Sequence, residues 1–286
     1  MRFHRSIICF ILAASWISIP ALAAEGKIRI GGHALYYRLS GSGAPPVVID
    51  VGAGESFASW QGIVDELAKR TAVFVYDRAG YGASDPGPLP RDCRRVANEL
   101  KVLLDNAGVK GPYLLVGHSL GAINLQLFAH LYPGKVHGMV LLDPAPRGWL
   151  SGRSFPALLK LFQQVSDEFL AAANSLKGSP NEAERKRAHF FLALHSEHQE
   201  MFGRSLRQLE AVRGFGNTPL TVVAAGRPNP QMGDDAEAFQ KFWIEENRRL
   251  ASFSTLGKFV LIEDSSHQLH RDRPERVVAE ILALLK

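Results

Sequence analysis

Tyr113-Leu-Leu-Val-Gly-His-Ser-Leu-Gly-Ala122 decides how this chain folds. Tyr113 to Val116 is a short apolar run that reads as a buried strand, and Ala122 to Leu131 read as an amphipathic helix. Between them Ser119 stands at the centre of Gly117-His118-Ser119-Leu120-Gly121. Strand, G-x-S-x-G, helix is a nucleophile elbow, in which a sharp strained turn lifts the serine hydroxyl above the top of a sheet. A Cβ at Gly117 or Gly121 would collide with the strand or the helix beside it. The amide of Leu120, at the start of the helix, points at the atom the serine attacks. The pentapeptide alone is a modest signal, so its context must carry the assignment.

That context begins late in the chain. Lys258 to Ile262 is an apolar strand, the loop Glu263 to His267 follows, and Pro274 to Leu285 read as a closing helix with proline in its first turn. A histidine on the loop after the last strand can swing over the sheet and serve the serine as general base. His267 is the candidate, with His270 as the fallback. Nearer the start, Pro46 to Asp50 is a strand followed by Val51-Gly52-Ala53-Gly54. Small residues there let backbone approach a substrate, and the Ala53 amide would join that of Leu120 in an oxyanion hole. After the strand Ala72 to Val75 comes Tyr76-Asp-Arg-Ala-Gly-Tyr-Gly-Ala-Ser-Asp85, a glycine-rich loop with ion-pair candidates. It reads as scaffold, with Arg78 near the pocket.

The acid has several candidates. The strand Leu220 to Ala225 ends in Gly226-Arg227-Pro228-Asn229. A neutral asparagine there could orient an imidazole but would poorly stabilise the imidazolium. The strand Gly138 to Leu142 neighbours the nucleophile strand and ends in Asp143-Pro144. Asp143 is preferred because it ends a strand beside the nucleophile strand, from which it can reach the histidine, whereas position 229 carries no charge. The chain order stays Ser, Asp, His, and Asp234 and Asp235 are the alternatives.

These residues resemble the α/β-hydrolase family, and within it the esterase and lipase-like subgroup, through the YDRAGYG loop, the LVGHSLG elbow and the VLLDP strand end. The resemblance runs from about Lys27 to Leu285. It implies a mostly parallel sheet with helices on both faces and a helical cap insertion, and a Ser-His-acid hydrolase that needs no cofactor. Asn229 departs from the commonest family pattern, in which the acid stands at that position.

The rest of the chain agrees with one such domain. Its 286 residues, 46% of them hydrophobic, can bury one large α/β core with an insertion. Lys27 to Ile30 and Ala34 to Leu39 read as an early hairpin turning at Gly31-Gly32. From about Arg147 to Gly216 the strand-helix alternation stops. Leu158, Leu159, Phe162, Val165, Phe169 and Leu170 recur at helical spacing, a second helical stretch runs Ala188 to Met201, and Glu182 to Arg187 is a solvated charged face. This is the expected cap, residues 147–216, with core on either side (24–146 and 217–286). Its aromatics Trp149, Phe155, Phe190, Phe191 and Phe202 belong mainly to the cap interior, a minority lining an apolar pocket. His195 and His198 have metal-ligand spacing, but no third ligand converges in sequence, so no metal site is assigned.

Arg2 and Arg5 precede the apolar run Ile7 to Ile19, and Ala21-Leu22-Ala23 is a small-x-small pattern. Residues 1–23 therefore read as a signal peptide cut before Ala24, which places the protein in the periplasm or outside the cell with no stable membrane insertion after processing. Cleavage would remove Cys9, leave Cys93 alone, and lower the formal net charge from +5 to +3. Basic residues are scattered without an aromatic-interleaved stripe, which argues against nucleic-acid binding. The sequence thus predicts a serine hydrolase acting on a small-molecule acyl substrate, a carboxylic ester before a lactone, amide or peroxyacid. A hydrolase-like binding protein with little turnover is the alternative. Epoxide hydrolases and dehalogenases are disfavoured, because their chemistry wants a carboxylate where Ser119 stands.

Overall fold

A computed structural model of the chain describes residues 24–285. The expected signal peptide, residues 1–23, lies outside the described residues. Eight strands form one sheet: β1 (Ala24–Arg29), β2 (Ala34–Ser40), β3 (Val47–Asp50), β4 (Val73–Tyr76), β5 (Tyr113–His118), β6 (Val136–Leu142), β7 (Leu220–Ala225) and β8 (Gly257–Ile262). Their order across the sheet is β1-β2-β4-β3-β5-β6-β7-β8. β2 runs antiparallel to both β1 and β4, and the remaining pairs are parallel.

Ten helices accompany it among the described residues. They are α1 (Gln61–Ala68), α2 (Cys93–Asn106), α3 (Leu120–Leu131), α4 (Arg147–Leu150), α5 (Pro156–Leu176), α6 (Glu182–Phe202), α7 (Arg204–Glu210), α8 (Ala236–Ala251), α9 (Leu269–Asp272) and α10 (Pro274–Ala283). The central strands are continuous apolar runs rather than alternating ones because helices cover both faces. Successive residues take opposite sides. Val48, Leu115, Leu141 and Val222 pack with Leu100, Leu104, Leu125 and Phe128 of α2 and α3. Ile49, Val116, Leu142 and Val223 pack with Ile63 and Leu67 of α1 and Val277 and Ile281 of α10.

Helices α4 to α7 occupy the chain between β6 and β7. The second of the two long ones begins at Glu182, six residues before the apolar stretch that marked it in the sequence. Asn181 caps it by accepting the Ala183 amide (2.9 Å), and Glu182 and Glu184 favour the positive end of the helix dipole. A third apolar cluster joins this insertion to the core: Leu120, Ile123 and Leu127 of α3 pack with Trp149, Leu158, Met201, Phe239 and Trp243. Among the described residues no helix is long and apolar enough to cross a membrane.

Candidate active site

In an open parallel sheet, groups at the carboxyl ends of neighbouring strands converge on one edge. Here β3, β4, β5, β6 and β8 end immediately before Val51, Asp77, Ser119, Asp143 and the loop to His267. Ser119 has φ 51° and ψ −116°, a conformation that costs a non-glycine residue free energy unless its surroundings impose it. They do. Its amide donates to the Leu142 carbonyl at 2.9 Å. A Cβ on Gly117 would come within 2.5 Å of the Ala122 Cα, and one on Gly121 would run into the Asp50 carbonyl. Both glycines are therefore required by close approach, as the sequence reading expects.

Asp143 also sits at positive φ (45°), its amide donating to the Val223 carbonyl at 2.7 Å. Its Oδ1 accepts the Ala225 amide (3.0 Å), which leaves Oδ2 aimed at His267. His267 Nδ1 lies 2.6 Å from Asp143 Oδ2, and His267 Nε2 lies 2.9 Å from Ser119 Oγ. A carboxylate only accepts, so Nδ1 carries the hydrogen and Nε2 of the neutral ring is free to accept from the serine hydroxyl. Burial pulls the His267 pKa down, but the hydrogen bond and charge of Asp143, with Glu55 behind, outweigh it and leave the pKa above the ordinary value. The ring keeps 38% of its side-chain surface open, so its desolvation is incomplete.

The two residues whose backbone amides are expected to face an oxyanion both border the same cavity, Leu120 at the first position of α3 and Ala53 after β3. The first amides of a helix have no acceptor inside it. The Ala53 amide is set by a residue read in the sequence only as scaffold near the pocket. Arg78 donates to the Val51 carbonyl (2.6 Å) and the Gly52 carbonyl (3.0 Å). In a planar trans peptide the C=O and N–H point opposite ways, so gripping the Gly52 oxygen turns the Ala53 N–H away from Arg78. Arg78 is itself 1% exposed and pairs with Asp50 (2.7 Å) and with Glu197 of α6 (2.9 Å). Burial opposes its charge, but Glu197 and Asp50 outweigh that and hold it protonated. The Tyr81 hydroxyl adds a 2.7 Å bond to Glu197.

The remaining candidates scatter. Asn229 is exposed at the cavity mouth and accepts the Gln231 amide (3.0 Å), capping a short turn. Asp234 and Asp235 are exposed on the same segment and do not border the cavity. His270 is buried, stacks on Trp60 at 4.6 Å, and does not reach Ser119. His195 bonds through Nδ1 to the Ser166 carbonyl (2.8 Å), whereas His198 packs on Phe162 at 4.4 Å and lines the cavity, its pKa lowered by burial to about 4. Of the five aromatics expected in the insertion, Trp149 alone lines the cavity.

That cavity has a volume of about 410 Å³. Ser119 and His267 border it together with Leu158, Leu161, Phe162 and Val165 of α5, Met201 of α6, and Phe239 and Trp243 of α8. Trp243 meets the His267 ring edge-on at 6.0 Å. Sequence reasoning missed the α8 pair, Glu197 and Glu55. The α8 pair had a signal, helical spacing with Phe242 after Asn229. Burial alone would raise the Glu55 pKa, but His118, His270 and the Trp60 indole pull it down to about 2. Burial, with His118 alongside, takes the His270 pKa down to about 3.

An eight-stranded, mostly parallel sheet with a serine elbow after β5 and a histidine after β8 defines a hydrolase of the α/β type. The chain matches the alpha/beta hydrolase family over residues 39–280 and belongs to it. It is 29% identical over 238 residues to the uncharacterized protein YqjL of Bacillus subtilis (strain 168), an alignment spanning 83% of this chain and 82% of that protein. A thermophilic esterase from Thermogutta terrifontis superposes with a TM-score of 0.64 at 22% identity, covering 92% of this chain and 100% of the other. The Bacillus megaterium epoxide hydrolase superposes with a TM-score of 0.69 at 16% identity, covering 91% of this chain and 99% of the other. The fold is thus shared by proteins of different chemistry, and the site has to decide between them.

Proposed function

We propose that this protein is a serine hydrolase that cleaves a carboxylic ester, or a related acyl compound, through an acyl-enzyme. The observation that carries the reading is the unbroken line Asp143 Oδ2, His267 Nδ1, His267 Nε2, Ser119 Oγ, with contacts of 2.6 and 2.9 Å. In this reading Ser119 Oγ attacks the substrate carbonyl carbon while its proton passes to His267 Nε2. Asp143 stabilises the imidazolium, and the Leu120 and Ala53 amides donate to the oxyanion. Collapse breaks the bond to the alcohol oxygen, which leaves with the proton from His267. Water, deprotonated by the same nitrogen, then attacks the acyl-serine and releases the acid, returning the proton to Ser119.

A hydroxyl at position 119 supports acyl transfer over epoxide opening, which wants a carboxylate there. The apolar walls of the cavity support an acyl or alcohol part of hydrocarbon character. Residues 147–216 act as the cap over it. The exported location is part of the same proposal, and a cut before Ala24 leaves the whole of β1 in the mature chain. N-terminal sequencing of protein recovered from outside the cytoplasm is expected to begin at or near Ala24; Met1 on membrane-bound protein would replace the signal peptide with an anchor.

A fluorophosphonate probe tests the central claim. It is expected to label the wild type and not Ser119→Ala. Ser119→Ala and His267→Ala should each remove most turnover of p-nitrophenyl esters, with the double variant hardly worse, because residues acting as a unit are strongly non-additive. Absent labelling and turnover would leave a binding protein.

A further inference from the structure

Behind the serine, three side chains meet without completing one another's hydrogen bonds. Glu55 follows the turn that carries Ala53, His118 precedes Ser119, and His270 opens off the His267 loop. Their side chains are 8%, 1% and 0% exposed. Glu55 Oε2 accepts the Gly52 amide (3.2 Å) and the Trp60 indole N–H (3.4 Å), which fix the carboxylate. Glu55 Oε1, His118 Nδ1 and both ring nitrogens of His270 have no hydrogen-bond partner among the described residues. Buried polar atoms are normally paired, and four orphans in one place require an explanation.

The tautomer of His118 narrows it. Its Nε2 lies 2.8 Å from the His267 carbonyl oxygen, which only accepts, so Nε2 carries the hydrogen. Nδ1 of the neutral ring then presents a lone pair to Glu55 Oε2 at 3.5 Å. Two acceptors facing each other out of water are unfavourable unless positive charge lies between them. His270 Nε2 stands at the same 3.5 Å from Glu55 Oε1. That spacing is long for a hydrogen bond. It is the edge of a tetrahedron whose bonds to nitrogen and oxygen are about 2.0–2.2 Å. One donor atom from each residue lies within 4.8 Å of the other two, so side-chain shifts of up to about an ångström bring all three onto one ion.

We propose that Glu55, His118 and His270 bind a divalent metal ion of the zinc class. Two imidazoles and a carboxylate are a donor set that zinc accepts with a further position open. Glu55 and His118 border the cavity, which gives that position access to water. The ion ties together the turn bearing Ala53, the elbow bearing Ser119 and the loop bearing His267. The three ligands are far apart in sequence, with no ligand spacing to reveal them.

The intact purified chain, dialysed against a chelator, is titrated with zinc and with cobalt. One equivalent should bind, cobalt should show tetrahedral absorption bands, and a hundredfold excess over the dissociation constant should raise the unfolding midpoint by about 5 °C. Glu55→Gln and His270→Gln should each weaken zinc binding more than about 100-fold, while His267→Ala retains it. Ring-nitrogen magnetic resonance of the wild type should show zinc moving the His118 and His270 signals, a readout that stands even where a variant fails to fold. The proposal is overturned by a wild type that takes up no stoichiometric zinc, by undiminished binding in Glu55→Gln and His270→Gln, by zinc that leaves with His267, or by a metal-free His118 imidazolium paired with Glu55.

Discussion

α6 and α5 both wall the cavity, yet they are anchored differently. α6 sends Glu197 into the sheet edge, where it meets Arg78 at 2.9 Å and the Tyr81 hydroxyl at 2.7 Å, and Ser196 beside it accepts the Arg91 amide at 3.0 Å. Among the described residues, the polar contacts of α5 beyond its own ends all go to α6, through Ser166 to His195 and Gln199. Its cavity residues Leu161 and Val165 remain 46% and 38% exposed. A buried charge cannot be moved away from its partner without a large loss, whereas apolar contacts exchange at small cost. The floor and the α6 wall are therefore fixed together, through Arg78, with the backbone that aims Ala53. The α5 wall, held by apolar packing alone apart from Ser166, is expected to adjust more readily than α6. Chemistry is expected to depend on the first and substrate preference on the second.

The largest expected effect lies on the floor. Asp143→Asn should keep the fold, judged by circular dichroism, and lower kcat about 10⁴-fold, because the imidazole loses its tautomer and its counter-charge. A change of less than tenfold would mean that the 2.6 Å contact to His267 is not used in turnover. Asn229→Asp should do little, since that side chain caps a turn at the exposed mouth.

Next is the anchor of α6. Glu197→Gln leaves Arg78 with Asp50 alone and should cost about 3–5 kcal/mol in urea unfolding. A loss below about 1 kcal/mol would erase the distinction between the two walls.

A smaller, graded effect comes with pH. The base must be unprotonated, and the Asp143 pairing holds the His267 pKa above its ordinary value. kcat/KM should therefore fall about tenfold per pH unit below an inflection lying above about 6.5. In Asp143→Asn the residual activity should show that inflection at lower pH. An unmoved inflection would assign it to another group.

The smallest effect belongs to α5. Leu161→Ala and Val165→Ala should change stability by no more than about 0.5 kcal/mol, as exposed positions do. Across a series of p-nitrophenyl esters they should shift the preferred acyl length by about tenfold or less. A large stability loss would show α5 to be as firmly held as α6.

Local signals were enough to read the elbow, the strand order of the motifs and the late histidine. Gly117 and Gly121 mark close approach wherever they occur, and apolar runs bounded by Gly, Pro and Asp mark strands whatever lies beside them. The start of α6 was less legible because its first turn is charged and exposed, and only the Asn181 cap fixes it. The sequence favours Asp143 over Asn229 only through its charge and the place of its strand, since β6 and β7 both end near the same edge. The structure turns one side chain toward His267 and the other onto its own loop. The Arg78–Glu197 clasp and the meeting of Glu55, His118 and His270 could not be read at all. Arg78 and Glu197 are 119 positions apart, and His267 and Ser119 are 148 apart. The periodicities that specify helices and strands reach only a few residues. Which distant side chains share a buried space depends on the order and register of a parallel sheet, and that is decided when the layers pack.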